Sequence, residues 1–310
     1  MSIAGATAPD GTKRIPGMLR VGTRGSKLAL AQTGHVVAAL RALDPSLTIE
    51  TVVINNSDDA GDKSRYVNGI EQQLRSEEID LGIHSAKDVP GEESPGLLIV
   101  AVPPRADPRD MLCGVSSLDQ LNEGAIVGTA SLRRAAQLRA ARRDLQVQTL
   151  RGNIDTRLGR LRDGGYAAII LAAAGLERLG VTGVTAAPLD FVPAPGQGCL
   201  ALQVRSDDLT TTTLVAPLSD AGSQRELMAE RAAAIGLSAS CNTPIGIRAK
   251  ATGDQLVVRG WIGLPDGSTW IEDELTGIAD DAEALGRSLA ARMRAAGADE
   301  LLTRAEEMAA

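Results

Sequence analysis

Twice along this chain, short apolar runs alternate with stretches of helical length. That alternation limits the fold more than any single residue does. LRVGT (19–23) and Ile49–Ile54 read as strands around a helical stretch, Ser26–Leu43, that stops before Pro45. A helix over Val67–Ser76 and two apolar strands, LGIH (81–84) and LLIVAVP (97–103), complete the first set. After PPRADPRD the pattern restarts. Strand AIVGT (125–129) runs into helix SLRRAAQLRAARR, strand QVQTL into helix NIDTRLGRLRDG, and strand AAIILA (167–172) into helix AAGLERLG. Such alternation implies mostly parallel sheets covered by helices, here two α/β lobes of similar length. Two lobes of this kind are expected to take a ligand in the cleft between them.

Two later passages set the boundaries. PAPGQGCLALQVR (193–205) carries Pro and Gly before an apolar strand, and reads as a return crossing into the first lobe. The expected domains are therefore 18–102 with 199–218, then 103–198, then 219–310. Ser223 to Glu226 fits the S-x-x-E capping box and predicts a helix to about Leu237. IGIRAKA, QLVVRGWIGL and STWIEDELTG are strand-like, the last two separated by PDG, a hairpin signal. With an amphipathic helix over Asp280–Gly297, the last region is expected to be a small α+β domain with a three-stranded antiparallel sheet.

Composition removes several classes of function. The formal charge of −7 and 2% aromatic content argue against a nucleic-acid binder, which needs cationic surface or stacking platforms. No apolar run reaches the roughly 18 residues of a membrane span. MSIAGATAPDGTKRIPG lacks the apolar core of a signal peptide, so a cytoplasmic protein is expected. Three scattered cysteines make no disulfide framework, and two histidines make a conventional metal site unexpected.

Three features could carry chemistry. The first is arginine. Of 32 basic residues five are lysine, leaving 27 arginines, and nine of these fall between Ser131 and Arg162 with no lysine among them. Many would suit a solvated helix face. Arg133 and Arg134, however, sit in a first helical turn, where cations oppose the helix dipole and an anionic ligand would relieve them. Thr129 and Ser131 stand beside them. Arg151 and Arg24 read as strand ends, with Arg157 and Ser26 following each. Planar, permanently charged forks converging on one site suit a ligand with several carboxylates or phosphates. The second is Asp88 in HSAKDVP, beside Lys87: either a turn residue or a carboxylate placed to move protons or face a developing cation. His84, on an apolar strand, reads as a core histidine. The third is Cys241 in GLSASCNTPIG, on local grounds an ordinary small residue. Cys113 and Cys199 read as structural.

In order, VGTRGSKLAL, HSAKDVP, PPRADPRD, VGTASLRRAAQL, LRGNIDTRL, AAIILAAAGLERLG, PAPGQG and AERAAAIGLSASCNTPIG closely resemble the porphobilinogen deaminase (hydroxymethylbilane synthase) family. The resemblance implies two lobes like type II periplasmic binding proteins and a third small domain. It implies a transferase that polymerises four porphobilinogen molecules head to tail with release of ammonia. It implies a dipyrromethane cofactor on a thioether at Cys241, and Asp88 as the catalytic carboxylate. Lys87, Thr129, Ser131, Arg133, Arg134 and Arg157 would hold the cofactor. Arg24, Ser26, Arg151, Arg178 and Gln197 would hold substrate, and Lys63 and Tyr66 would belong to a mobile loop. A monomer is expected. The chain departs from the family pattern at Ala239 and Ser240, before the anchor cysteine, and in the loop AGDKSRY, where glycines are lost. The alternative from another class is a two-lobed polycarboxylate-binding protein without catalysis.

Overall fold

The computed structural model of this 310-residue chain describes residues 17–54, 64–92, 94–238 and 243–309. It divides into two compact units, residues 1–105 with 199–224, and 106–198 with 225–310.

In the first unit β1 (Met18–Arg24), β2 (Thr48–Ile54) and β3 (Leu81–Ser85) run parallel, and β4 (Leu97–Ala101) forms the far edge. α1 (Lys27–Leu43) follows β1, and α2 (Ser64–Arg75) precedes β3. The strand predicted to return does so: β10 (Leu200–Arg205) lies antiparallel between β3 and β4, giving the order β2-β1-β3-β10-β4. α6 (Leu209–Val215), for which its Thr-rich sequence gave no helical period, is capped by Asp208 on Thr211 N. Apolar side chains line both sheet faces, as expected of strands covered on both sides. Leu19, Val21, Val36, Leu40, Ile83 and Leu202 form one core, and Ile54, Ile70, Leu74, Ile79 and Leu97 the other.

The second unit repeats this order. β5 (Asp110–Cys113) enters first and lies antiparallel between β8 (Ala168–Ala172) and β9 (Ala186–Leu189). β6 (Ile126–Gly128) pairs in parallel with β7 (Gln146–Gln148) and with β8, so the sheet reads β7-β6-β8-β5-β9. In each sheet the strand that follows a crossing between the units is the antiparallel one. This order, with helices on both faces, is the type II periplasmic-binding arrangement. The edge strand β9 escaped the sequence reading because AAPL carries no alternation and contains a proline. α3 (Leu132–Ala141), α4 (Ile154–Arg162) and α5 (Ala173–Arg178) follow β6, β7 and β8 as predicted.

The same unit holds the antiparallel meander β11 (Ile245–Thr252), β12 (Gln255–Gly263) and β13 (Trp270–Ile278). α7 (Ala221–Gly236), α8 (Ala282–Ala295) and α9 (Ala298–Ala309) accompany it. Ala229, Leu237, Ile247, Leu256, Val258, Leu289, Met293 and Leu301 form its core. The meander rests on the preceding sheet through Trp261 against Ala136 and Val192, and through Arg139 Nη1 donating to Pro265 O at 2.7 Å. Gly267 of PDG takes φ +71°, the left-handed turn conformation that sequence implied. The predicted capping box does not form. Asp220 accepts from Ser223 N at 2.7 Å and starts α7 three residues earlier. Glu226 instead accepts from Arg248 and from Ala251 N, since a buried carboxylate takes the strongest donors packed against it. No helix of the described residues is long and apolar enough to cross a membrane.

Candidate functional site

The first unit presents Asp88 on a braced turn. β3 ends at Ser85, and a single 3-10 turn, Ala86–Asp88, leads into Val89, whose N–H closes on Ala86 O at 3.1 Å. Three contacts hold this turn from behind. Ala86 N donates to Cys199 O at 3.1 Å. Gln32 on α1 and Ser85 exchange hydrogen bonds at 2.9 and 3.2 Å. His84 Nε2 lies 3.0 Å from Gln203 Oε1, and Gln203 Nε2 donates to Glu71 Oε1 at 3.0 Å.

The last pair assigns the histidine's proton. Glu71 only accepts, so the Gln203 amide must face it, leaving Oε1 for His84; Nε2 therefore carries the hydrogen. Burial pushes the His84 pKa down to about 4, against the raising effect of the Gln203 hydrogen bond. His84 is thus a neutral core histidine, as read from sequence. Asp88 itself is half-buried, and no hydrogen bond or ion pair engages its carboxylate among the described residues. Lys87 beside it is exposed. Arg24 is the last residue of β1, and Ser26 caps α1 by accepting from Ala29 N at 3.2 Å.

The second unit gathers the other predicted residues. Ser131 is the N-cap of α3 and accepts from Arg134 N, while Thr129 Oγ1 accepts from Ser131 N at 3.2 Å. Arg133 and Arg134 follow, but they do not reach out of the helix start toward solvent. Both guanidiniums are buried around Asp110, the first residue of β5, which is itself fully buried. Asp110 Oδ2 accepts from Arg133 Nη1 at 2.6 Å, and Oδ1 accepts from Arg134 Nε at 2.9 Å and Gln197 Nε2 at 2.8 Å. Burial would raise the Asp110 pKa, but the charges of Arg133 and Arg134 and the hydrogen bonds from Arg133 and Gln197 hold it far below the usual carboxylate range. The chain itself therefore supplies the anion that sequence reasoning expected from a ligand.

The two arginines differ in what remains. Every nitrogen of Arg134 has a protein partner: Asp110 for Nε, Ile170 O for Nη1 at 3.1 Å, and Gln197 Oε1 for Nη2 at 3.3 Å. Arg133 turns only Nη1 to Asp110 and to Val192 O, and its buried Nε has no partner among the described residues.

Arg157 on α4 donates Nε to Gly152 O at 2.7 Å. Gly152, at φ +113°, makes the turn that brings that carbonyl round. Burial and then the like charge of Arg134 lower the Arg157 pKa, and no carboxylate pairs with it among the described residues. Arg151 is exposed three residues past β7 rather than at its end. Arg178 closes α5 and donates to Gly198 O at 2.7 Å, beside the buried Gln197. Arg142, by contrast, is structural, donating to Leu118 O, Leu121 O and Asp144.

Three predicted residues are not placed. Lys63 and Cys241 lie outside the described residues, as do Ala239 and Ser240, and only the backbone of Tyr66, within α2, is described. Two residues were missed. Asp110 could have been flagged as an acid heading the apolar run MLC. Glu230, fully buried on α7, accepts from Gly196 N at 2.6 Å and Ala249 N at 2.7 Å, tying the PAPGQG crossover to the meander. Cys113 and Cys199 are buried and outside any disulfide, and burial raises the Cys113 thiol to about 11.

Comparison with known proteins identifies the family. The profile "Porphobilinogen deaminase, dipyromethane cofactor binding domain" matches residues 19–213, and "Porphobilinogen deaminase, C-terminal domain" matches 224–295. A porphobilinogen deaminase of Roseiflexus sp. (strain RS-1) is 43% identical over 298 residues, 92% of this chain and 98% of its own. One from Acidithiobacillus ferrooxidans (strain ATCC 53993 / BNL-5-31) is 42% identical over 302 residues, 93% of this chain and 98% of its own. Among solved structures, the methionine-binding protein MetQ is similar over 66% of this chain and 90% of its own, with a TM-score of 0.44 at 16% identity. That likeness adds nothing to what the strand order already establishes. With both profiles in sequence order and identity above 40% over nearly its whole length, the chain belongs to the porphobilinogen deaminase family.

Proposed function

We propose that this chain is a hydroxymethylbilane synthase: it joins four porphobilinogen molecules head to tail, releasing ammonia at each addition. The observation that carries the reading within the molecule is the Asp88 carboxylate, half-buried and unengaged among the described residues, on a turn held by three contacts. Loss of ammonia from porphobilinogen leaves positive charge on its pyrrole. A fixed carboxylate stabilises such charge without reorganising, and Asp88 would also take the proton released when the new carbon–carbon bond forms.

The donor set suits a dipyrromethane. That group carries several carboxylates, and the second unit offers Arg157 and the Nε of Arg133, the first without an acidic partner and the second without an acceptor among the described residues, and exposed Arg151. When bound, the dipyrromethane supplies the free pyrrole α-carbon from which the chain grows. We propose Cys241 as its thioether anchor, because a thiolate attacks an electrophilic carbon at neutral pH where a serine hydroxyl does not. Lys87, Thr129, Ser131, Arg133, Arg134 and Arg157 are proposed on the cofactor side, directly or through a neighbour. Arg24, Ser26, Arg151, Arg178 and Gln197 are proposed on the substrate side, and Lys63 and Tyr66 in a mobile loop. The same reading makes the chain a cytoplasmic monomer of three domains.

Intact mass of the purified chain tests it. The native chain is expected to carry the added mass of a dipyrrole, and Cys241→Ser to lack it. A folded native chain without that mass, which gains none on incubation with porphobilinogen, would reduce the protein to a polycarboxylate binder.

A further inference from the structure

Gln203 lies where three elements of the first unit meet. It sits on β10, the strand that returns between β3 and β4. Its side chain is buried and both ends of the amide are used: Nε2 donates to Glu71 Oε1 on α2, and Oε1 accepts from His84 Nε2 on β3, each at 3.0 Å. Glu71 is held on its other oxygen, where Ser94 Oγ donates to Oε2 at 2.7 Å and Arg75 Nη2 lies at 3.5 Å. Gly82 leaves room for α2 to close on β3, since a Cβ there would fall 2.6 Å from Ile70 Cγ2 and 3.2 Å from His84 Nε2. Arg205, two residues beyond Gln203 and so on the same face of β10, donates Nη1 to Leu74 O and to Ile79 O at 2.9 Å each. β10 thus grips α2 and, through Gln203 and Cys199 O, the end of β3 that leads to Asp88.

We infer that Gln203 is a positioning residue for the proposed reaction: clamped between Glu71 and His84, its amide fixes the end of β3 from which the Asp88 turn projects, and it holds the Glu71 charge one side chain away from the imidazole. The inference rests on the functional reading above. An amide can donate to a carboxylate and accept from an imidazole N–H at once. A carboxylate at 203 would touch the ring directly, and an opposite charge at that distance favours imidazolium. The charged groups acting on His84 are Glu71 from α2, Asp88 from the turn and Arg24 from β1; burial outweighs them and keeps the ring neutral. A charged His84 would draw on Asp88 as a counter-ion, and that carboxylate is the one proposed to face the positive charge developing on the pyrrole.

Moving the carboxylate by one side chain tests this. In the swap Glu71→Gln/Gln203→Glu the net charge is unchanged and every bond keeps a donor and an acceptor: the amide at 71 donates to the carboxylate at 203 and still accepts from Ser94. What changes is that the carboxylate now lies against His84. The chain has two histidines, and His35 is exposed, so NMR can follow each ring. In the native chain His84 is expected to stay neutral across about pH 5–8; in the swap it should titrate within that window, and the acid limb of kcat for porphobilinogen should move up with it by roughly one unit or more. Above that limb the swap should turn over within a few-fold of the native rate. Gln203→Leu, which removes the amide, should lower kcat roughly tenfold or more with KM within about twofold, because the turn is displaced while the binding arginines are untouched.

A swap in which His84 titrates while kcat keeps its native pH profile would show that the ring's charge does not reach Asp88, and would overturn the inference. A swap no better than Gln203→Leu, or one that does not fold by circular dichroism, leaves the amide to the fold alone and overturns it too. So does native kcat for a folded Gln203→Leu; if that variant does not fold, the swap decides. In all these cases the native chain is active and the function stands. A native chain that does not turn over porphobilinogen removes the functional reading, and this inference with it.

Discussion

Adding one methyl group at Gly246 should damage the second unit, although a glycine-to-alanine change usually stabilises a chain. Gly246 is the second residue of β11, opposite Trp261 on β12. Its missing side chain lets the strand lie on the crossover segment, where Ile247 N donates to Pro193 O at 2.9 Å. A Cβ there would fall inside the contact distance of Val192 O and 3.0 Å from Val192 C and Cβ. These atoms cannot swing aside as the tip of a side chain could. Val192 is pinned on both sides: its N–H donates to Gln137 Oε1 at 2.7 Å, and its carbonyl accepts from Gln137 Nε2 at 3.0 Å and Arg133 Nη1 at 2.8 Å.

Either β11 lifts from the crossover or the crossover yields and weakens the Arg133 bond. Overpacking costs about 1–3 kcal/mol, and a hydrogen bond to a charged group is worth about 1.5–3 kcal/mol, so we expect Gly246→Ala to cost about 2–4 kcal/mol. At an m-value near 2 kcal/mol/M the urea midpoint should fall by roughly 1–2 M. The chain suits this measurement, because its two tryptophans, Trp261 and Trp270, both lie in the meander, and Trp261 packs on Val192. Gly159→Ala is the internal control. It sits inside α4 with open space where its Cβ would go, and should stabilise by about 0.5–1 kcal/mol. A native or higher midpoint for Gly246→Ala, with the control behaving as stated, would refute the close approach.

Three further outcomes are expected. Asp88→Asn should fold, load the dipyrrole more slowly, and lose most of its turnover; near-native kcat would mean another group faces the developing cation. Arg157→Lys keeps the charge but not the fork, so dipyrrole loading, read by intact mass, should fall several-fold, and unchanged loading would place Arg157 outside the cofactor-binding set. His84 predicts an acid sensitivity. Its pKa, about 4 when folded, lies below the unfolded value near 6.5, so its contribution is complete above pH 6.5 and is lost as pH falls toward 4. The loss should be on the order of 3 kcal/mol across that window, read by urea unfolding at several pH values, and His84→Gln should remove that part of the slope.

The sequence by itself determined the features that depend on neighbours along the chain. Apolar period distinguished strand from helix in both lobes. PDG specified the meander turn, Ser26 and Ser131 were legible at the starts of α1 and α3, and the apolar setting of His84 marked it as core. Eight ordered motifs pointed to the family, because they pair turn chemistry with charges at fixed short spacings. What only the tertiary structure decided are the pairings of distant charges. Asp110 meets Arg133, Arg134 and Gln197 at separations of 23, 24 and 87 residues, and no local pattern specifies which carboxylate a guanidinium will find. The capping box at Ser223 failed for the same reason. Asp220 was the nearer cap, and Glu226 was claimed by Arg248, 22 residues away. Backbone preference is set within a few residues. The partner of a buried charge is set by which elements the core brings together, and that choice set Asp110 between two arginines that the sequence reading had given to a ligand.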